Sequence, residues 1–245
     1  MLRHVVVGDV HGCLEELKAL LDPLALGVED RLVFVGDLID KGPDSAGVVR
    51  YVRELAQRVP TTVVLGNHEE KHLRFVSRGR PEENEVQLED DLNEWLANVC
   101  QLYHKFKGAN GVEYVVVHAG FHPAFFEQYG ELPPLNLLPH MSRKVQDRAS
   151  RFCRIRFVNP EGQMVSLGEE KPEDVYWTSL YEGWEGIALY GHQHYEDVEV
   201  SDYALGLDTG CVYGGKLTAM VVDAHGVKWR SVPALRQYVE PRIEN

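Results

Sequence analysis

Five short polar clusters carry the residue types of a metal site, and each follows an apolar run. Asp9 and His11 end "VVVGDVHG", and Asp37 and Asp40 end "LVFVGDLIDKG". Asn67, His68 and Glu69 end "VVLGNHEE", His118 ends "VVVHAG", and His192 and His194 end "LYGHQH". Carboxylate oxygen, amide oxygen and imidazole nitrogen suit zinc, manganese or iron, whereas calcium prefers oxygen alone. Two such cations about 3.5–4 Å apart can bridge a hydroxide, lower its pKa and neutralise charge developing on a phosphoryl group. The leaving oxygen then needs a proton, which a histidine held by a carboxylate can give. Each residue alone has a plainer explanation. An aspartate after a strand is commonly a helix cap or turn former, and a lone histidine is commonly bonded to backbone in the core. Five strand ends repeating one polar vocabulary are hard to explain as independent turns, so a shared metal site is the reading adopted.

The elements that must position these residues alternate regularly in the first half. "RHVVVGD", "RLVFVGD" and "TTVVLGN" read as short buried strands. Between them "LEELKALLDPL" places Leu14, Leu17, Leu20, Leu21 and Leu24 on one helical face, and "SAGVVRYVRELAQRV" does the same with Val48, Val52, Leu55, Ala56 and Val59. "EEKHLRFVSRG" reads as a third helix. The acidic stretch from Gly79 to Asp91 reads as a solvated loop leading into the helix "LNEWLANVC". Strands alternating with helices imply parallel βαβ units, and ligands bind beyond the carboxyl ends of such strands. The glycine beside each cluster permits a sharp turn and a close approach of backbone to a bound group. "VEYVVVHAG" is another strand, while residues 121–150 are Pro-interrupted and give no clear pattern. The last third changes character: "RFCRIRF", "IALYGH", "ALGLDTG" and "KLTAMVVD" read as short strands with few helices between them. Two sheets packed face to face with helices outside accommodate both halves. No linker divides the chain, so residues 1–245 are expected to form one α/β domain.

Bulk properties narrow the class. The chain has 245 residues, 44% hydrophobic and 26% charged, as ordinary globular proteins have. No apolar run is long enough to span a membrane, and the first residues lack the pattern of a signal peptide. A cytoplasmic location is expected. Cys13, Cys100, Cys153 and Cys211 are scattered without CxxC spacing, which argues against a zinc knuckle or a disulfide framework. The net charge of −13 excludes nucleic-acid binding through the overall field. An anionic ligand would need positive charge concentrated locally, which a metal cluster supplies.

The ordered blocks "GDVHG", "GDLIDKG", "GNHE", "HAG" and "GHQH" resemble those of the calcineurin-like binuclear metallophosphoesterases, and the first of them resemble the phosphoprotein-phosphatase branch. The resemblance implies a four-layer αββα sandwich of two mixed sheets holding two divalent metal ions, with manganese the family-based expectation and iron or zinc open. It implies Asp9 and His11 on the first metal, Asp37 bridging, and Asn67, His118 and His192 on the second. It implies His68 as general acid or water-orienting group, paired with Asp40. Two departures stand out. Lys41 replaces the usual arginine, so phosphate would meet a point charge instead of a two-pronged donor. His194 adds a second histidine, which in the wider superfamily completes the first metal's shell.

The segment "LDTGCVYGGKLTAM" is similar to one in bacterial bis(5'-nucleosyl)-tetraphosphatases and in the phosphatase module of polynucleotide kinase-phosphatases. "RFCRIRFVNPEGQ" resembles the symmetrical diadenosine tetraphosphate hydrolases. These resemblances imply an active-site role for Asp208. Arg151, Arg154 and Arg156 could grip a polyphosphate, with Arg154 and Arg156 on one face if their segment is a strand. Arg74 is another basic candidate. A phosphohydrolase acting on nucleotides or dinucleoside polyphosphates is the first reading, and a phosphoprotein phosphatase is the alternative. A metal-bound scaffold without catalysis should have lost a ligand or the proton donor, and here all are present. The expected partner is a phosphorylated small molecule or nucleotide, with no membrane and no stable nucleic-acid binding; the oligomeric state is left open.

Overall fold

A computed structural model describes residues 2–120 and 143–241. Its larger sheet grows from the expected βαβ series: β1 (His4–Val7), α1 (Leu14–Leu21), β2 (Arg31–Phe34), α2 (Ser45–Ala56), β3 (Thr61–Val64), α3 (Asn67–Ser77), α4 (Asp90–Val99) and β4 (Cys100–Gln101). These four strands pair in parallel. The last strands, β13 (Lys216–Asp223) and β14 (Gly226–Pro233), return antiparallel along β1, giving the order β14-β13-β1-β2-β3-β4.

The second sheet holds β5 (Tyr103–Lys107), β6 (Glu113–Val117), β10 (Ile187–Tyr190), β11 (Glu199–Val200) and β12 (Ala204–Gly206), in the order β11-β12-β10-β6-β5. Its three central strands, β6, β10 and β12, run parallel. A small third sheet is made of β7 (Phe157–Val158), β8 (Met164–Val165) and β9 (Val175–Tyr176). It follows α5 (Arg143–Phe152).

Strand alternation sorts side chains between the layers. Val6, Val33, Val35, Val64, Met220 and Val222 of the first sheet meet Val116, Leu189 and Leu207 of the second in one apolar interior. Val5, Val7, Leu32, Phe34 and Val63 face the other way, onto Leu17 and Leu20 of α1, Val48 and Val52 of α2, and Leu96 of α4. On the far side of the second sheet, Val115, Val117, Ala188 and Tyr190 lie under Phe152 at the end of α5, with Ile155, Val158 and Trp177. The layers therefore run helix, sheet, sheet, helix, and the second outer layer is completed by the small sheet.

Several local expectations need correction. "RFCRIRF" is not a strand: α5 ends at Phe152, and Arg154 and Arg156 lie on the irregular run into β7. The charged alternation there has no sheet partner until Phe157. The acidic stretch after Gly79 is largely exposed and leads into α4, as expected, but it has local order. It contains a 3₁₀ turn, Pro81–Glu83, and its buried Asn84 donates to the His72 carbonyl. The pattern did not reveal β5 or the outer strand β14; the residues of β14 are mostly exposed. Of the stretch 121–150, residues 121–142 lie outside the described residues.

A candidate binuclear metal centre at the strand tips

The two sheets meet at their carboxyl ends. Gly191 N–H donates to the His118 carbonyl at 2.8 Å, and His192 N–H donates to Asp9 Oδ2 at 3.0 Å. His118 Nδ1 lies 2.9 Å from the Val35 carbonyl, across the sandwich. These contacts bring the tips of β1, β2, β3, β6 and β10 into one place. Glycines allow it: a Cβ on Gly191 would collide with Asp9 Oδ1, and one on Gly66 with Asp37 Oδ1.

The backbone there is held against its preference. Among the described residues six non-glycines have left-handed φ, and five of them are His11, Asp37, Asp40, Lys41 and His192. Such conformations cost on the order of 1–3 kcal/mol each and persist only where surroundings over-determine them. Glu69 supplies much of that determination. Its fully buried carboxylate accepts from the amides of Gly66, Asp37, Leu38 and Ile39, at 2.8–3.2 Å. It thereby fixes the turn that aims Asp37. Ser45, at the start of α2, accepts from the Asp40 amide at 2.9 Å.

Two donor triads share Asp37. His11, Asp37 and His68 place one ligand atom each within 4.8 Å of one another, and so do Asp37, His118 and His192. Asp37 Oδ2 lies 3.5 Å from His11 Nε2 and 3.4 Å from His118 Nε2. Asn67 Oδ1 sits beside the second triad, 3.1 Å from His118 Nε2 and 2.9 Å from His192 Nδ1. Asp9 is buried next to these groups and belongs to neither triad. Among the described residues its Oδ1 has no hydrogen-bond partner, and neither does His192 Nε2.

The electrostatics favour cations. Burial, together with the charges of Asp208 and Asp37, pushes Asp9 well above the usual carboxylate range. Burial also acts to raise Asp37, but His118 and His68 outweigh it and hold Asp37 well below that range. Burial lowers His11 to about 3 and drives His192 well down, so both imidazoles stand neutral, the form that ligates metal. Buried carboxylates with orphaned oxygens, beside neutral imidazoles, fit divalent cations by donor chemistry.

The remaining candidates take distinct places. His68 Nδ1 lies 2.7 Å from Asp40 Oδ2. Burial works to lower the His68 pKa, but Asp37 and the Asp40 hydrogen bond prevail and raise it. Lys41 Nζ donates to the Tyr213 hydroxyl at 2.8 Å and lies 3.0 Å from His11 Nε2. Asp208 is buried, and its Oδ1 accepts from the Gly210 amide at 2.9 Å. His194 belongs to neither triad and packs on the Tyr213 ring at 4.7 Å. Arg154 donates to Glu70 at 2.7 Å and reaches the Asn67 carbonyl at 3.4 Å; Arg74 pairs with the same Glu70. Arg156 donates to Gln193, between the two histidines of "GHQH", at 2.8 Å. The arginines therefore ring the site without forming one face. Sequence reasoning gave no role to Glu69, Tyr213, Gln193 or Glu85, whose carboxylate accepts from the Lys41 amide. Only Glu69 carried a signal, its place in "GNHEE".

Comparison with known proteins agrees with this geometry. The calcineurin-like phosphoesterase family matches residues 2–196. A symmetrical bis(5'-nucleosyl)-tetraphosphatase of Pectobacterium atrosepticum is 32% identical, over 89% of this chain and 91% of its own. An asymmetrical bis(5'-nucleosyl)-tetraphosphatase of Oceanobacillus iheyensis is 28% identical, over 87% and 86%. A crystal structure provisionally named a diadenosine tetraphosphatase superposes with a TM-score of 0.68 at 28% identity, covering 95% of this chain and 93% of its own. A cold-active protein-tyrosine phosphatase of a Shewanella species shares the fold, with a TM-score of 0.58 at 16% identity. The chain belongs to the calcineurin-like phosphoesterase family and is a metal-dependent phosphohydrolase.

Proposed function

We propose that this enzyme hydrolyses dinucleoside polyphosphates, cleaving diadenosine tetraphosphate symmetrically into two ADP, with two divalent cations, manganese foremost. The observation that carries the reading is the likeness to symmetrical bis(5'-nucleosyl)-tetraphosphatases over nearly the whole length of both chains. Arginines around the site support it, because a substrate with four phosphates needs charge beyond the centre itself. In this reading Asp9, His11 and Asp37 hold the first cation, with His194 the outermost candidate beside them. Asp37, Asn67, His118 and His192 hold the second.

When bound, the cations would supply Lewis-acid activation of water and neutralise charge on the phosphoryl group. The chain's own residues do the rest. Lys41, steadied by Tyr213, meets a phosphoryl oxygen as a point charge. His68, oriented by Asp40, gives its proton to the departing phosphate oxygen. Asp208 lies close enough to Asp9 for the two carboxylates to oppose each other's ionisation, a conflict that a bound cation would relieve. Arg154, Arg156 and Arg74 take the outer phosphates, exchanging Glu70 and Gln193 for substrate oxygens.

Manganese-loaded protein is to be given diadenosine tetraphosphate beside a phosphothreonine peptide, with products separated by chromatography. Two ADP per substrate is the expected result. AMP with ATP would move the reading to asymmetrical cleavage. Phosphate from the peptide alone would sink the nucleotide reading in favour of a protein phosphatase.

A further inference from the structure

A second cluster of ligating groups lies behind the first catalytic loop. Cys13 caps the start of α1 and Glu16 stands one turn further along. Cys211 opens the 3₁₀ turn Cys211–Tyr213, just past Asp208. The chain spacing shows no motif, but the fold brings two sulfurs and a carboxylate oxygen within 4.8 Å of one another. All three residues are buried, at 0%, 2% and 2% exposure.

The glutamate is what marks the cluster as more than packed thiols. Glu16 Oε1 accepts from the Leu235 amide at 2.9 Å and from the Tyr238 hydroxyl at 2.8 Å. Those two donors fix the carboxylate plane, in the manner of groups that orient a metal's ligands from behind. Among the described residues Glu16 Oε2 is left buried with no hydrogen-bond partner. An unsatisfied buried carboxylate oxygen is costly, and the groups near it are soft sulfur donors. The segment supplying both donors is itself pinned, since the Tyr238 and Val239 amides donate to the Val212 carbonyl. That segment closes over the cluster.

We propose that Cys13, Glu16 and Cys211 form a third metal site, selective for a thiophilic d¹⁰ cation of the zinc class. Binding exchanges two S–H protons, released to buffer, for two metal–sulfur bonds, and the carboxylate supplies the third donor. The ion would tie the "GDVHG" loop to the loop bearing Asp208 and Tyr213. The site differs in kind from the strand-tip centre, which offers only nitrogen and oxygen, and it does not depend on which phosphate bond the enzyme cleaves.

The test is a cadmium titration of the full chain with its N/O centre already saturated with manganese and its thiols kept reduced. Cadmium bound by thiolate gives an ultraviolet charge-transfer band that N/O donors do not give. One cadmium per chain should develop the band and raise the melting midpoint by about 5–10 °C at a hundredfold excess over Kd. The band should persist in Cys100→Ser and vanish in Cys211→Ser, and Glu16→Gln should weaken binding at least about tenfold. No band in the wild-type protein overturns the proposal, whether or not the serine variants fold. So does a band that survives Cys211→Ser, or an affinity indifferent to Glu16→Gln.

Discussion

The strand-tip centre and the arginine rim are built by different means. At the tips, side chains are buried and their backbone is strained, and the strain is held by Glu69 and by contacts between the two sheets. On the rim, Arg154, Arg156 and Arg74 sit partly exposed on helix and loop, each with an ordinary polar partner. Geometry at the tips is inseparable from the fold. Rim contacts can be exchanged one side chain at a time. Chemistry should therefore fail wholesale when the tips change, and substrate choice should drift when the rim changes.

The sharpest way to break that contrast is Asp37→Asn, which removes the charge shared by both triads. Turnover should fall at least 100- to 1000-fold on every substrate, as for loss of a preorganised electrostatic group. Metal content should fall with it, while circular dichroism stays native. Retention of most turnover would show that the triads do not work as one centre.

Glu69→Gln probes the same region one layer back. An amide keeps one acceptor oxygen but places N–H₂ where the other meets backbone amides. Losses of about 10- to 100-fold in metal affinity or turnover are expected, with stability lowered by about 1–3 kcal/mol for unsatisfied buried amides. Denaturation with and without metal separates the two effects. An unchanged metal affinity would mean that the Asp37 turn holds without this carboxylate.

Rim variants should behave otherwise. Arg154→Ala should raise KM for diadenosine tetraphosphate about tenfold, for loss of one charge-assisted contact. With p-nitrophenyl phosphate, which has no outer phosphates, the constants should hardly change. Equal losses on both would move Arg154 into the centre, through its contact with the Asn67 carbonyl.

The same contrast explains what could be read from the chain beforehand. The tips were legible because strand, glycine and ligand are adjacent in sequence, so Asp9, Asp37, Asn67, His118 and His192 each carried a local signal. The sandwich followed from strands alternating with helices and then a strand-rich last third, and the continuous apolar run Val5, Val6 and Val7 divides its faces between two cores. The rim was less legible because its partners are distant. Arg154 meets Glu70, Lys41 meets Tyr213, and Cys13 meets Cys211 only once the chain has folded. "RFCRIRF" misled for a related reason: alternation marks a strand only where a neighbouring strand receives it.

The smallest expected effect lies far from both regions and guards their interpretation. His4, at the start of β1, is buried against Phe106 with ring centroids 4.1 Å apart, and among the described residues its Nδ1 has no hydrogen-bond partner. Burial, with His104 and Arg31 adding to it, lowers its pKa from 6.5 to about 4. The unfolded chain therefore binds more protons between those values, so the His4 contribution is complete above pH 6.5 and is lost as pH falls towards 4. His4→Phe keeps the stacked ring and cannot titrate. Its melting midpoint should match or exceed that of the wild type at pH 7, and the gap should widen by a few degrees at pH 5, on the scale of about 2–4 °C per kcal/mol. A gap that does not widen would remove His4 from the acid response.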